Sequence, residues 1–338
     1  MRSVWIPKIG PPEVLELRDA PDPHARAGEI RIRVRASGVN FADVMARLGV
    51  YPDSPPPPVV VGYEVAGVVD AVGSESLPFR IGDRVFAFTH FGGYASSVVV
   101  PVASVFRTPA TLTDIEAAAV PVNYLTAFMA LYRLANVQAG ETVLVHGAGG
   151  GVGVAVTQLS KRRGAIVIGT ASAMKLATIK TLGVDHPIDH RREDVSQAVR
   201  TLTAGRGADV VLDPLGGRSF RRSYRLLAPL GRLVMYGASA AASGERRNLW
   251  RVLRTLIEMP AFRPLSLINR NRAVLGLNLG HLWHETARLR SAMDLILTEL
   301  AAGRIRPVIA RTFPLERAAE AHRYIQSRAN IGKVILTS

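Results

Sequence analysis

Cysteine is missing altogether from the 338 residues. That absence excludes disulfides, thiolate nucleophiles and cysteine ligands to zinc. Lysine is nearly as scarce: of the 42 basic residues only 5 are lysine (Lys8, Lys161, Lys175, Lys180 and Lys333), so the net charge of +15 is carried by arginine. A pI near 10.9 makes an anionic partner worth considering. No recognition module or aromatic-interleaved basic repeat accompanies the charge, however, so no nucleic-acid partner is expected. No apolar stretch reaches the roughly 20 residues of a membrane span. The opening MRSVWIPKIGPPEV has no apolar core of signal-peptide length, and a cytoplasmic location is expected. The 8 histidines show no paired spacing that points to a metal, and no Ser/His/Asp constellation points to hydrolysis.

With 48% hydrophobic and 20% charged residues this is a well-buried chain, and its length exceeds one ordinary core. Two domains are expected. Residues 1–110 are rich in short β-branched runs punctuated by glycine and proline, which predicts a mostly β domain. One helix is predicted over 114–135, with Asp114 close to the capping position. Strands are then predicted at 142–147, 165–170, 186–188, 208–213, 231–237 and 273–279, with helical segments between the first five. Strands alternating with helices make a doubly wound parallel sheet.

The most informative stretch is residues 140–161, GETVLVHGAGGGVGVAVTQLSK. A β-branched run leads into five residues with four glycines, and these open an apolar helical pattern. Such a strand, turn and helix suit a dinucleotide: the backbone can approach a pyrophosphate whose charge rests on the helix N-terminus. The spacing is Ala148-x-Gly150-x-x-Gly153, with alanine where the usual fingerprint has its first glycine. The phosphate cradle is therefore assigned to Ala148, Gly149, Gly150, Gly151, Val152 and Gly153.

An NAD-binding chain carries an acid about 20 residues past these glycines to hold the ribose hydroxyls. Here the second strand ends Gly169-Thr170-Ala171-Ser172, with no acid, and Lys175 follows. A small polar end and a cation suit the 2′-phosphate of NADPH, although Lys175 also reads as an ordinary solvated helix cation.

Gly140-Glu141, Leu144, Ala148 to Gly151, Gly153, Gln158 and Lys161 together resemble the long signature of the quinone oxidoreductases and zeta-crystallins, the zinc-free branch of the medium-chain dehydrogenase/reductases. Gly62-Tyr63-Glu64-Val65-Ala66-Gly67 is similar to the GHExxG motif of the zinc branch, with Tyr63 in place of the zinc-binding histidine. The resemblance implies a Rossmann domain over 123–279 and a mostly β, GroES-like domain made of 1–122 and 280–338, with no metal. It implies NADPH as cofactor, a quinone or α,β-unsaturated carbonyl as substrate, and a homodimer joined through the sixth Rossmann strand.

The resemblance also implies residue roles. Asn40, in Ser37-Gly38-Val39-Asn40-Phe41-Ala42-Asp43, is to point its amide at the nicotinamide ribose, though an asparagine there also satisfies its own turn. Thr126 is to face the nicotinamide, His190 stands where the family's phosphate-lining tyrosine falls, and Arg328 matches an arginine that reaches the cofactor, or is a helix-terminal cation. Tyr236 and Gly237 follow the fifth strand, where a dinucleotide lies. Without zinc, hydrogen-bond donors must steady the developing oxyanion, and Asn40, Tyr51 and Tyr63 are the candidates, although Tyr51 is equally suited to packing a cleft wall.

Residues 245–272 interleave Leu249, Trp250, Val252, Leu253, Leu256 and Ile257 with arginines, a pattern that fits an anionic membrane surface, a lip over the cleft or a subunit contact. This segment and the following 271–282 resemble the vesicle amine transport protein 1 subgroup. That likeness leaves open a membrane-associated binding or trafficking role with little turnover, and enoyl-thioester reduction is a third possibility.

Overall fold

The computed structural model describes residues 1–74 and 78–338. The chain divides into two compact units, one made of Met1–Leu125, Gly244–Arg247 and Leu279–Ser338, the other of Thr126–Ser243 and Asn248–Asn278.

The first unit is built on strands. A seven-stranded sheet runs in the order Ile309–Pro314, Lys333–Thr337, Glu29–Val39, Glu64–Val72, Arg84–Phe88 and Val105–Arg107, with Ser97–Pro101 also pairing along Glu29–Val39. All its pairings are antiparallel except that of Ile309–Pro314 with Lys333–Thr337. A smaller sheet joins Glu16–Asp19, Arg2–Ile6 and Val59–Val60. Alternation of buried Ile30, Ile32 and Val34 with the arginines at 31, 33 and 35 faces the long strand towards one apolar cluster that includes Val65, Val69, Val85 and Val98. The helix Phe41–Arg47 is capped by Asn40, and the side chain of Asp43 returns a bond to the Asn40 amide at 2.7 Å, closing a capping box.

The second unit is a Rossmann fold. Its six parallel strands lie in the order His186–Asp189, Ile166–Ala171, Thr142–His146, Ala208–Asp213, Leu227–Met235 and Ala273–Gly276. In chain order this is third, second, first, fourth, fifth, sixth, the arrangement whose strand ends meet a dinucleotide at the switch point. Every residue of Ala208–Asp213 is buried, as a central parallel strand requires. At the sheet's two edges lie His186–Asp189, which contains Pro187, and Ala273–Gly276.

The helix over 114–135 and the last two Rossmann strands differ from the expected bounds. The helix expected over 114–135 is Asp114–Ala117 followed by Pro121–Phe128 and a π-helical continuation, Met129–Leu134. Pro121 has no amide to carry the first helix onward but suits the first turn of a new one. Thr113 is the cap, directly before Asp114 as the expected capping position requires, and Glu116 completes its capping box. The fifth strand is Leu227–Met235, beginning and ending earlier than 231–237, and the sixth is only Ala273–Gly276, shorter than 273–279. Residues 245–272 hold two helices, Leu249–Ile257 and Pro264–Arg270. Among the described residues no helix is long and apolar enough to cross a membrane.

Candidate active site

On the Rossmann unit the strand Thr142–His146 runs into a turn at Gly147, whose φ of +69° is left-handed backbone that favours glycine. Gly150 caps the helix Gly151–Arg162, and Gly153 sets the closeness of helix and strand: a Cβ there would stand 2.3 Å from the Gly147 carbonyl oxygen. The amide of Ala148 bonds the Thr170 carbonyl at 3.0 Å, tying this turn to the end of the second strand. Val152 lies in the helix's first turn.

Lys175 belongs to the same place. Its side chain crosses Gly149, so that a Cβ on that glycine would meet Lys175 Cδ at 3.1 Å and Nζ at 3.8 Å. The Lys175 amide is held by the Ser172 carbonyl at 2.9 Å. His190 Nδ1 donates to the Ala171 carbonyl at 2.7 Å. Thr170, Ser172, Lys175 and His190 are thus gathered around the carboxyl ends of the second and third strands. Tyr236 and Gly237 stand after the fifth strand, next to the fourth: the Tyr236 amide bonds the Asp213 carbonyl at 3.2 Å. Asp213 itself accepts from Ser219 and Ser223 at 2.6 Å each and from the Leu215 amide at 2.8 Å, a buried hub that holds its turn. Thr126 lies buried on the helix Pro121–Phe128.

On the first unit Asn40 is enclosed by charge. Its carboxamide oxygen accepts from Lys333 Nζ at 2.6 Å, and its Nδ2 donates to Glu64 Oε1 at 3.0 Å. Lys333 also forms an ion pair with Glu64, and Glu64 Oε2 accepts from the Val122 amide at 2.7 Å. The Asn40 amide is therefore fixed at both ends, in a network that sequence reasoning missed because 24 positions separate it from Glu64 and 293 from Lys333. Only the Asn40-x-x-Asp43 spacing of a capping box was there to be read. Arg328 follows the helix Ala318–Gln326 in left-handed backbone, φ 56°, with its amide on the Ile325 carbonyl at 3.1 Å.

Tyr51 and Tyr63 are brought together, edge to face, with ring centroids 6.1 Å apart. They line a pocket of about 410 Å³ with Asp53, His90, Phe91, His281, Trp283 and His284. Asn40 is not part of that lining. His281 Nε2 lies 2.8 Å from Asp53 Oδ1. Burial, seconded by Asp53 and Asp43, pushes the Tyr51 hydroxyl up to about 12, and burial pushes Tyr63 higher still. Both phenols keep their protons at neutral pH and remain donors. The Tyr63 hydroxyl is buried without a hydrogen-bond partner among the described residues. The same residues contain no group of three His, Asp or Glu side chains that could hold a metal ion.

A six-stranded Rossmann sheet with a glycine turn, in one chain with a GroES-like β unit, defines a medium-chain dehydrogenase/reductase. The chain belongs to that family: residues 26–110 match the alcohol dehydrogenase GroES-like domain and residues 182–336 the zinc-binding dehydrogenase domain. It is 43% identical over 317 residues to the synaptic vesicle membrane protein VAT-1 homolog of Danio rerio, covering 94% of this chain and 65% of that protein. The crystal structure of human synaptic vesicle membrane protein VAT-1 homolog-like protein superposes with a TM-score of 0.87 at 35% identity, over 100% of this chain and 98% of that one. Escherichia coli quinone oxidoreductase complexed with NADPH superposes with a TM-score of 0.88 at 28% identity, over 100% of both chains.

Proposed function

We propose that the protein is an NADPH-dependent oxidoreductase of the cytoplasm that reduces a quinone or α,β-unsaturated carbonyl without zinc. The observation that carries this reading is Lys175 lying across Gly149, beside a second strand that ends without an acid. The cradle fits a dinucleotide, since a side chain at Gly149 would fill the space beside Lys175. Ala148, Gly149, Gly150, Gly151, Val152 and Gly153 would hold the pyrophosphate, and Thr170, Ser172, Lys175 and His190 the adenosine phosphate. Thr126, Tyr236, Gly237, Asn40 and Arg328 are assigned to the nicotinamide half. When bound, NADPH supplies a hydride.

Tyr51 and Tyr63, protonated at neutral pH, are the donors for a substrate oxygen that gains negative charge, with Asn40 the third candidate. The aromatic lining of their pocket suits a flat conjugated ring. The test is NADPH oxidation with a panel of quinones and enones. Turnover of at least one is expected, and no oxidation with any of them would overturn the reading.

We further propose that two copies pair through the open edge at Ala273–Gly276. Such an edge, left bare, templates aggregation. A two-fold contact closes it.

A second reading is favoured by the helix Leu249–Ile257, whose Leu249, Trp250, Leu253, Leu256 and Ile257 are 60, 81, 47, 57 and 72% exposed. An outward apolar face flanked by Arg251 and Arg254 suits an anionic lipid surface, and with it a membrane-associated binding role. Sedimentation with phosphatidylserine vesicles tests this: the chain should sediment, and Trp250→Ser with Leu253→Ser should leave it in the supernatant.

A further inference from the structure

Three donors converge on the carboxylate of Asp43, which is fully buried. The Asn40 amide reaches Oδ2 at 2.7 Å, the Gly62 amide reaches Oδ1 at 3.0 Å, and the Tyr94 hydroxyl reaches Oδ2 at 3.0 Å. Behind Tyr94 the chain of bonds continues to His322 Nε2, 3.2 Å from the hydroxyl, and then to Arg47, whose Nε donates to His322 Nδ1 at 3.2 Å.

The direction of this chain is set at its far end. A guanidinium nitrogen only donates, so His322 Nδ1 is the acceptor. Burial, and next the charge of Arg47, hold the imidazole well below the usual histidine range, so it is neutral and its single ring proton sits on Nε2. That proton points at the Tyr94 oxygen, and Tyr94 turns its own proton to Asp43. Every neighbour of the carboxylate is then a donor, and only the ionised form accepts from all three at once.

We propose that Asp43 is a positioning residue for the site: its one carboxylate fixes the main chain at Asn40 and at Gly62, and so the stance of Asn40 and Tyr63, and binding a proton there forces one of the three contacts to break. Burial opposes the charge that the donors demand, and the balance puts the carboxyl at about 7, with the Asn40 amide, the Tyr94 hydroxyl and Lys333 pulling it down. The groups that sense it are Lys333 from the C-terminal strand, Tyr94, Tyr63 and Tyr51, with His322 and Arg47 behind Tyr94. An acid proton on Asp43 finds no free acceptor among its three partners. The Tyr94 hydroxyl must turn round, in a place with no solvent to take its proton, or a backbone amide must let go.

The catalytic consequence rests on the oxidoreductase reading; the coupling of the two amides does not. The test uses the full chain labelled with ¹⁵N in asparagine and glycine, with amide shifts followed from about pH 5.5 to 8.5. The Asn40 and Gly62 amides should move together with one midpoint near neutrality. Tyr94→Phe, which removes a donor that favours the ionised form, should shift that shared midpoint upward, and Asp43→Asn should abolish it. In parallel, kcat/KM with an accepted quinone or enone should change several-fold across the same midpoint and be flat in Asp43→Asn. Amides that stay still, or that titrate with separate midpoints, overturn the proposal even in an active enzyme. A shared titration in a protein that oxidises no NADPH upholds it and overturns the oxidoreductase reading instead. Should Asp43→Asn fail to fold, the wild-type and Tyr94→Phe titrations still decide the matter.

Discussion

Lys333 meets Glu64 where their side chains are 3% and 0% exposed, and the same ammonium holds the Asn40 carboxamide oxygen at 2.6 Å. An ion pair without water is weak evidence of net stability, yet removing one partner leaves the other charge uncompensated. Lys333→Met alone should therefore lower unfolding stability by about 3–5 kcal/mol. Lys333→Met with Glu64→Gln should recover part of the loss. Urea midpoints measure both, and a single variant that costs under about 1 kcal/mol would show that the pair holds nothing.

Acid should weaken the fold from near neutrality downward. His322 is buried and His146 half-buried, and both have folded pKa values below the ordinary 6.5. Their contribution is complete above that value and is lost as the pH falls through the folded values. Asp43 works in the other direction: raised from 3.8 to about 7, its contribution is complete below 3.8 and lost as the pH rises towards 7. Replacing His322 by Gln, which can still accept from Arg47 and donate to Tyr94, should flatten the acid limb of Tm against pH. An unchanged limb would remove His322 from the account.

Cofactor choice should turn on Lys175. Lys175→Glu should weaken NADPH binding by the roughly 1.5–3 kcal/mol of a charge-assisted hydrogen bond while leaving NADH nearly unaffected. Titration calorimetry with both dinucleotides decides it. Equal losses would make Lys175 a structural cation.

How much of this was legible in the sequence depended on distance along the chain. The glycine turn, the missing acid after Thr170 and the cation at 175 lie within one βαβ unit, and local spacing is enough to read them. The alternation from Glu29 onward likewise gave a strand, because arginines on one face and Ile30, Ile32 and Val34 on the other leave no doubt of the period. His281 and Trp283 could not be placed beside Tyr51 and Tyr63 from sequence, since packing of the first unit alone joins them. The helix expected over 114–135 failed for a local reason: Pro121 was a legible break that apolar helical spacing overrode.

Self-association should depend on the strand Ala273–Gly276. Leu275→Pro removes a ladder donor and should shift light scattering from dimer to monomer or destabilise the chain. A monomeric wild-type protein at micromolar concentration would refute the pairing.

The two edges of the Rossmann sheet are chemically unlike. His186–Asp189 carries Pro187, a residue with no amide proton, whereas Ala273–Gly276 contains no proline. Growth strand upon strand is therefore open at one margin and impaired at the other. A sheet that can extend in a single direction runs out of free edge once one copy has met another, so the asymmetry that a lone proline creates argues against filaments.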